Sequence, residues 1–293
     1  MASEGDRRPD LEVEARRSRL LGGLSLEAEG ARGVAIALIS TAVFLTVVIV
    51  AISQSPGWPE VHRAFFGWHD ITSTFPEIAR AFKLNVKIFL VCEVFILILA
   101  LVIAVLRSLP GPVFFPLRAL AIIYTDLARG VPTILVIALL GYGVPGLQLQ
   151  GVPTSRVFWA GVGLVLVYSG YVAEVYRAGI ESVHPSQEAA ARSLGLSRFQ
   201  ALRRVILPQA VRRVIPPLLN DFIGLQKDTA LVGTLGVVEA FNQSMIDSSA
   251  TFTFGAYLAA ASLFVLLTIP LARLTDWLIL RDRRRRQAGG LLT

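Results

Sequence analysis

Apolar residues in this chain come in long unbroken blocks rather than in periodic stripes. The first runs from Gly33 to Ile52, about 20 residues, enough to cross a hydrocarbon core as a helix. Others cover 88–106, flanked by Lys87 and Arg107, then 119–144, 157–176, 215–238 and 254–272, the last continuing toward Leu280. Two blocks are not clean. Asp126, Arg129, Gly130 and Pro132 interrupt 119–144, and 215–238 contains Asn220, Asp221, Lys227 and Asp228. Residues 53–82 carry Pro56, Pro59, Pro76, three acids, Trp58 and Trp68, and read as an external loop with interfacial aromatics. The pattern predicts an all-α integral membrane protein with about six transmembrane helices. A secretory signal is the rival reading of the first block, but its apolar region normally spans about 7–15 residues behind a short basic stretch. Here the block is longer and the tail before it is long and mixed in charge.

Composition agrees: 54% of the 293 residues are hydrophobic and 17% charged, against about 25% charged in an ordinary soluble domain. The net charge of +7 does not point to nucleic acid, because the arginines gather at the ends of apolar blocks instead of forming a basic stripe. They report orientation. Arg7, Arg8, Arg16, Arg17, Arg19 and Arg32 precede the first block. Arg177, Arg192, Arg198, Arg203, Arg204, Arg212 and Arg213 lie between the fourth and fifth, and Arg281 and Arg283 to Arg286 follow the last. The short loops 145–156 and 243–253 hold only Arg156. Six spans put both termini on one side, and the positive-inside rule makes that side, with the 177–214 segment, cytoplasmic.

Cysteine and histidine add exclusions. Cys92 is the single cysteine, so no intrachain disulfide or cysteine-based metal site forms. His62, His69 and His184 show no metal-ligand spacing. No histidine lies in a span, and Ser40, Ser169 and Ser262 have no in-span base, which argues against an intramembrane enzyme. No Gly-x-x-x-x-Gly-Lys-Ser/Thr loop is present, so nucleotide chemistry must come from another chain. The stretch Gly141-Tyr142-Gly143-Val144-Pro145-Gly146 matches a dinucleotide fingerprint without the following βαβ unit, and reads as a flexible exit turn. Asn242-Gln243-Ser244 is assigned no role.

The segment between the fourth and fifth blocks is patterned as a helical hairpin. Ser186 is placed to N-cap a helix beginning Gln187-Glu188-Ala189-Ala190-Ala191. Gly195 stands where that helix stops, and Ser197 is placed to cap a second. Phe199, Leu202 and Ile206 fall on one apolar face of it, and Pro208 is expected to end it.

These residues carry a resemblance. Ser186-Gln187-Glu188-Ala189-Ala190-Ala191-Arg192-Ser193-Leu194-Gly195, followed by Val205-Ile206-Leu207-Pro208-Gln209-Ala210, is similar to the EAA loop of ABC importer permeases. The run from Tyr171 to Glu239, including Ile215-Pro216-Pro217-Leu218-Leu219-Asn220 and Lys227-Asp228-Thr229-Ala230-Leu231, resembles the polar amino acid branch, as do Tyr124 and Ala128-Arg129-Gly130-Val131-Pro132. The likeness covers roughly 83–280. Two departures stand out. The family's glutamate falls on Ala189, with Glu188 one place early and about 100° round the helix, and its usual glycine is Ser186.

The resemblance implies a type I importer permease: a five-helix core, one extra N-terminal helix and a cytoplasmic coupling-helix loop. It divides the chain into a cytoplasmic tail 1–32, an extra transmembrane helix and external loop 33–82, a permease domain 83–280 enclosing the coupling loop 178–214, and a basic cytoplasmic tail 281–293. Ser186, Gln187, Glu188, Ala189, Ala190, Ala191 and Gly195 would couple to a separate ABC ATPase subunit, which holds the ATP and Mg. The chain itself would carry no cofactor and would not be an enzyme. Further partners implied are an extracytoplasmic solute-binding protein, a second permease subunit of the same or a paralogous chain, and a polar amino acid. The setting implied is the plasma (inner) membrane of a prokaryote. Other small solutes, or an ATP-independent channel, are the alternatives, and a channel leaves the hairpin unexplained.

Polar residues inside the blocks complete the candidates. An ionisable group at mid-bilayer costs about 2.5–3.5 kcal/mol on insertion scales and faces a cavity or a partner. Glu93, Tyr171, Glu174, Asn220, Lys227 and Asp228 are read as either a path for a zwitterion or structural pairs. Lys227 with Asp228 or Asp221, and Glu174 with Arg177 at i+3, are the structural expectations. Glu93 lies outside the family's pattern.

Overall fold

The computed structural model describes residues 32–109 and 111–290, with side chains to residue 281, so the expected tail 1–32, except Arg32, and the arginines 283–286 lie outside the described side chains. All regular elements among the described residues are helical: α1 (Arg32–Ser53), α2 (Trp58–Phe66), α3 (Trp68–Arg107), α4 (Phe115–Gly130), α5 (Thr133–Ala138), α6 (Val144–Gly146), α7 (Arg156–Glu181), α8 (Pro185–Ser193), α9 (Arg198–Ala201), α10 (Leu207–Asp228), α11 (Ala240–Thr251) and α12 (Gly255–Gly290). Wide π-turns join α5 to α6 (Leu139–Gly143) and α9 to α10 (Leu202–Ile206), and a 3-10 turn, Thr229–Leu235, follows α10.

The chain divides into two compact units, Met1–Arg63 and Ala64–Thr293. In the first, α1 is apolar over its length with none of its membrane window buried, and its Thr41 and Thr46 hydroxyls are satisfied by carbonyls four residues back. A helix of this composition suits a lipid environment.

The expected loop at 53–82 is corrected by the structure. Most of that segment is helix, and the expected domain boundary at 82/83 falls inside the 40-residue α3. Local breakers lose to tertiary burial here. Pro59 occupies the first turn of α2, where a missing N–H costs nothing. Pro76 is inside α3, but the next turn brings Ile78, which is fully buried against Ala256, Ala259 and Ala260 of α12. Phe65 stacks on Phe254 at 4.7 Å, and the Phe254 N–H donates to the Ala64 carbonyl at 2.6 Å.

Among the described residues four helices are long and apolar enough to cross a membrane, and five when the bent pair α4 with α5–α6 counts as one. The expected fifth span, 215–238, falls on α10 and the 3-10 turn. Arg212, Arg213, Asn220, Asp221, Lys227 and Asp228 leave α10 too polar to qualify by composition, although Ala210, Val214, Leu225 and Gln226 are buried. The interrupted third span behaves as its sequence suggests. It breaks at Val131–Pro132 and turns through 103°. Pro132 lacks the N–H needed to continue α4 and holds Val131 extended at ψ 130°.

The core is centred on α7. Leu164, Val167, Val172 and Ala173 are buried there with Phe89, Cys92 and Ile96 of α3, Ile137 of α5, and Leu225 of α10. The segment read as a flexible exit turn is instead helical, and Gly141 is buried so closely under Leu235 that a Cβ there would lie 2.2 Å from Leu235 Cδ1.

Candidate coupling hairpin and polar path

The hairpin begins where α7 ends. α8 is capped by His184, whose Nδ1 accepts from the Ser186 N–H at 3.2 Å. The expected cap, Ser186, is itself in the first turn, because Pro185 already takes a helical φ and needs no N–H partner. α8 stops as expected. Gly195 adopts φ +84°, the Gly195 N–H reaches the Arg192 carbonyl at 3.0 Å, and the Leu196 N–H reaches the Ala191 carbonyl at 3.2 Å. That pair of bonds is a Schellman closure. Ser197 then caps α9 through a reciprocal pair with Gln200: Ser197 Oγ accepts from the Gln200 N–H at 3.2 Å, and Gln200 Oε1 accepts from the Ser197 N–H at 2.9 Å.

Pro208 does not end the second helix. The π-turn Leu202–Ile206 widens the backbone just before it, and α10 continues from Leu207, so the proline's clash with the preceding turn is relieved. Ile206 packs with Val183 and Ala210. Of the expected apolar face only Ile206 is buried; Phe199 is 69% and Leu202 41% exposed. Ser186, Gln187, Ala189, Ala190 and Gly195 are also exposed, and Ala191 is buried. Displaced Glu188 lies 3.8 Å from Arg198 across the turn, an exposed pair worth at most about 1 kcal/mol. The stem is tied by Arg213, which donates to the Ser182 carbonyl.

One turn above the stem, Glu174 gathers three cations. Arg177 pairs with it along α7, as the spacing predicts, and also with Glu181. Two partners come from elsewhere: Arg107 at the end of α3, 2.8 Å away, and Arg129 at the end of α4, 4.0 Å away. Arg107 is 14% exposed and Arg129 45%. Glu174→Gln is therefore expected to lower the thermal midpoint of the purified protein, because it leaves a nearly buried guanidinium without its carboxylate. Arg129→Gln, at a longer and more solvated contact, is expected to cost less than about 1 kcal/mol. Equal losses would show that the two contacts weigh alike.

The remaining in-span candidates fall on α3, α7 and α10. Asp228 accepts from the Tyr168 hydroxyl at 2.9 Å, and Tyr168 lies 6.1 Å, ring to ring, from Tyr171. The expected pairing of Lys227 with Asp228 or Asp221 is not made; no carboxylate among the described residues lies within ion-pair distance of it. The helix phase explains this. Asp228 turns toward α7, while Lys227 and Asn220, seven residues apart, share an exposed face. Tyr171 is 36% exposed. Glu93 is half-buried and within electrostatic reach of Asp221, whose Oδ2 is buried without a hydrogen-bond partner.

Sequence reading missed a second polar centre. Glu239, fully buried, caps α11: its Oε1 accepts from the Asn242 N–H at 2.8 Å and its Oε2 from the Phe241 N–H at 3.0 Å. Asn85 of α3 donates to the same Oε2 at 2.7 Å and to Thr229 Oγ1 at 3.2 Å, and accepts from the Ala240 N–H at 3.1 Å. Asn242 donates to the Gly233 carbonyl at 3.1 Å. The 3-10 turn is held from its other side by Tyr142 on the Thr234 carbonyl at 2.6 Å and by Arg156 on the Leu235 carbonyl at 3.0 Å. The available signals were an acid directly before a helix and a lone Asn in an apolar run.

A bundle of apolar helices with an exposed polar helix face and a capped hairpin is the architecture of a membrane transport permease. Residues 111–284 match the family described as the binding-protein-dependent transport system inner membrane component. The chain is 37% identical over 210 residues to the probable amino-acid permease protein YxeN of Bacillus subtilis, covering 71% of this chain and 92% of that one. It is 33% identical over 215 residues to the glutamate transport system permease protein GluC of Corynebacterium glutamicum, covering 70% and 92%. Among solved structures, a crystal structure of an amino acid ABC transporter with histidines matches at TM-score 0.64 and 29% identity, covering 75% of this chain and 98% of that one. The MetNI methionine transporter in an inward-facing conformation matches at TM-score 0.56 and 17% identity and shares the fold. The chain belongs to the binding-protein-dependent transport system inner membrane component family.

Proposed function

We propose that this chain is the permease subunit of an ATP-driven importer for polar amino acids. The α8–α9 hairpin docks on a separate ABC ATPase, which supplies ATP and Mg, and transmits its motion to α7 and α10. A second permease subunit completes the path, and an extracytoplasmic binding protein delivers the substrate. Both termini and the hairpin are cytoplasmic. The observation that carries this reading is the hairpin, closed at one end by Gly195 and at the other by the Ser197–Gln200 pair, yet exposing Phe199 and Leu194. A rigid element with uncovered apolar tips suits a lever that seats in another subunit.

The path is assigned to the exposed face of α10 carrying Asn220 and Lys227, together with the exposed Tyr171 of α7. Lys227, which makes no ion pair among the described residues, is too costly to face acyl chains, and it suits the carboxylate of an amino acid. Glu93→Gln is expected to reduce uptake of a cationic amino acid more than that of a neutral one, with yield of the assembled complex unchanged. A fall in yield with no change in substrate ranking would make Glu93 a structural bridge instead.

Orientation is tested by labelling in a Cys92→Ala background. Ser186→Cys should react only from the cytoplasmic side and Ser249→Cys only from outside; both positions are exposed. Outside labelling at Ser186 would overturn the orientation and the coupling role together.

A further inference from the structure

α3 presents one continuous exposed stripe, and the chemistry of that stripe changes abruptly. From Leu90 onward it is apolar: Leu90, Val94, Ile98, Leu101 and Val105 are 53% to 58% exposed. The same stripe, followed backward, carries Lys87, Lys83 and Arg80, all exposed. Their spacings of four and three residues keep them in line with the apolar positions. The opposite face holds Ile78, Asn85, Phe89, Cys92 and Ile96, all buried. The three cations therefore point away from the protein, in the direction in which the next turns meet lipid.

None of the three has an ion pair or hydrogen bond among the described residues. The carboxylate one turn before Arg80, Glu77, is within electrostatic reach of Asp247 on α11. Depth follows from helix geometry. Lys87 and Arg107 bracket the apolar stretch at about 30 Å, at 1.5 Å per residue, which equals the hydrocarbon thickness of about 30 Å. Lys83 and Arg80 then lie about 6 and 10 Å beyond the hydrocarbon edge, within the headgroup layer. Orientation does not account for them, because in the orientation proposed above they stand on the non-cytoplasmic side, where positive charge is normally sparse.

We infer that Arg80, Lys83 and Lys87 form a binding ladder for the phosphate groups of anionic phospholipids in the leaflet at the N-terminal end of α3. The apolar stripe below seats the acyl chains of the same lipid, so headgroup and tails are recognised by one helix face. The inference rests on the membrane embedding of the chain and not on ATPase coupling or on the substrate.

The full-length chain carrying Val91→Cys in a Cys92→Ala background, labelled with a fluorophore at position 91, places a probe one turn from Lys87 on the same stripe. It is reconstituted into mixed vesicles in which either phosphatidylglycerol or phosphatidylcholine carries brominated, quenching chains. Quenching by the brominated phosphatidylglycerol should exceed that by phosphatidylcholine, with a local enrichment of about fivefold for each cation engaged. The preference should fall stepwise in Lys83→Gln and in the Lys83→Gln/Lys87→Gln pair, and reach parity when Arg80→Gln is added. Parity in the parent protein, or an unchanged preference in the triple variant, would overturn the inference. So would absence of quenching by either lipid, which would mean that another protein surface covers the stripe.

Discussion

Replacing Glu239 by alanine is expected to abolish recovery of folded protein. Its carboxylate accepts three hydrogen bonds inside the molecule, from the Asn85 side chain and from the Phe241 and Asn242 backbones. Glu239 is 0% exposed, so water cannot take its place without opening the packing. Each orphaned buried donor costs about 1–3 kcal/mol, and the sum is of the order of a whole domain's stability, about 5–15 kcal/mol. The loss would release α11 from α3 and free one side of the 3-10 turn. Gly233→Ala should act through the same centre, since its Cβ would stand 2.1 Å from Glu239 Oε1. Glu239→Gln should do less harm, because one amide oxygen still accepts while the amide nitrogen meets a donor. Monodisperse yield in detergent and the thermal midpoint are the readouts. A wild-type yield for Glu239→Ala would show that the network does not hold these elements together.

The second large effect is expected at Gly195. Its φ of +84° is a conformation that costs an L-residue about 1–2 kcal/mol and a β-branched one more. Gly195→Val should refold the hairpin turn locally while the buried core, which it does not touch, survives. Assembled with its ATPase, the variant should hydrolyse ATP but lose uptake at least tenfold. Glu188→Ala removes only the exposed contact with Arg198 at 3.8 Å and should cost little. Full uptake by Gly195→Val would remove the lever from the mechanism.

What could be read from the sequence was mostly local. The first apolar block, Gly33 to Ile52, lies within α1, and the fourth, 157–176, lies within α7. Gly195 and Ser197 carry their backbone roles in their residue types, and the Arg129-to-Pro132 interruption announced the 103° break. What escaped was set by distant partners. Pro76 and the polar residues around it argued for a loop, yet Ile78 and Phe82 find α12 and keep α3 helical. Glu174 had Arg177 as a neighbour in sequence, but Arg107 is 67 positions away. Asn85 and Glu239, 154 apart, have no periodicity that would link them. Lys227 has Asp228 beside it in sequence, but adjacent residues on a helix point about 100° apart. The apolar helices were therefore legible from composition, whereas the helical segment over 58–82 and the polar contacts that lock the bundle needed the packing.

The most direct test of the transport reading is uptake of a labelled polar amino acid into proteoliposomes containing this chain with its ATPase. Solute-binding protein is supplied outside, and ATP is sealed inside or omitted. Accumulation above the external concentration is expected only when all three proteins and ATP are present. It should vanish without ATP or without the binding protein. Equilibration of the amino acid through this chain alone, at the same rate with or without ATP, would contradict an importer permease and make the protein a channel.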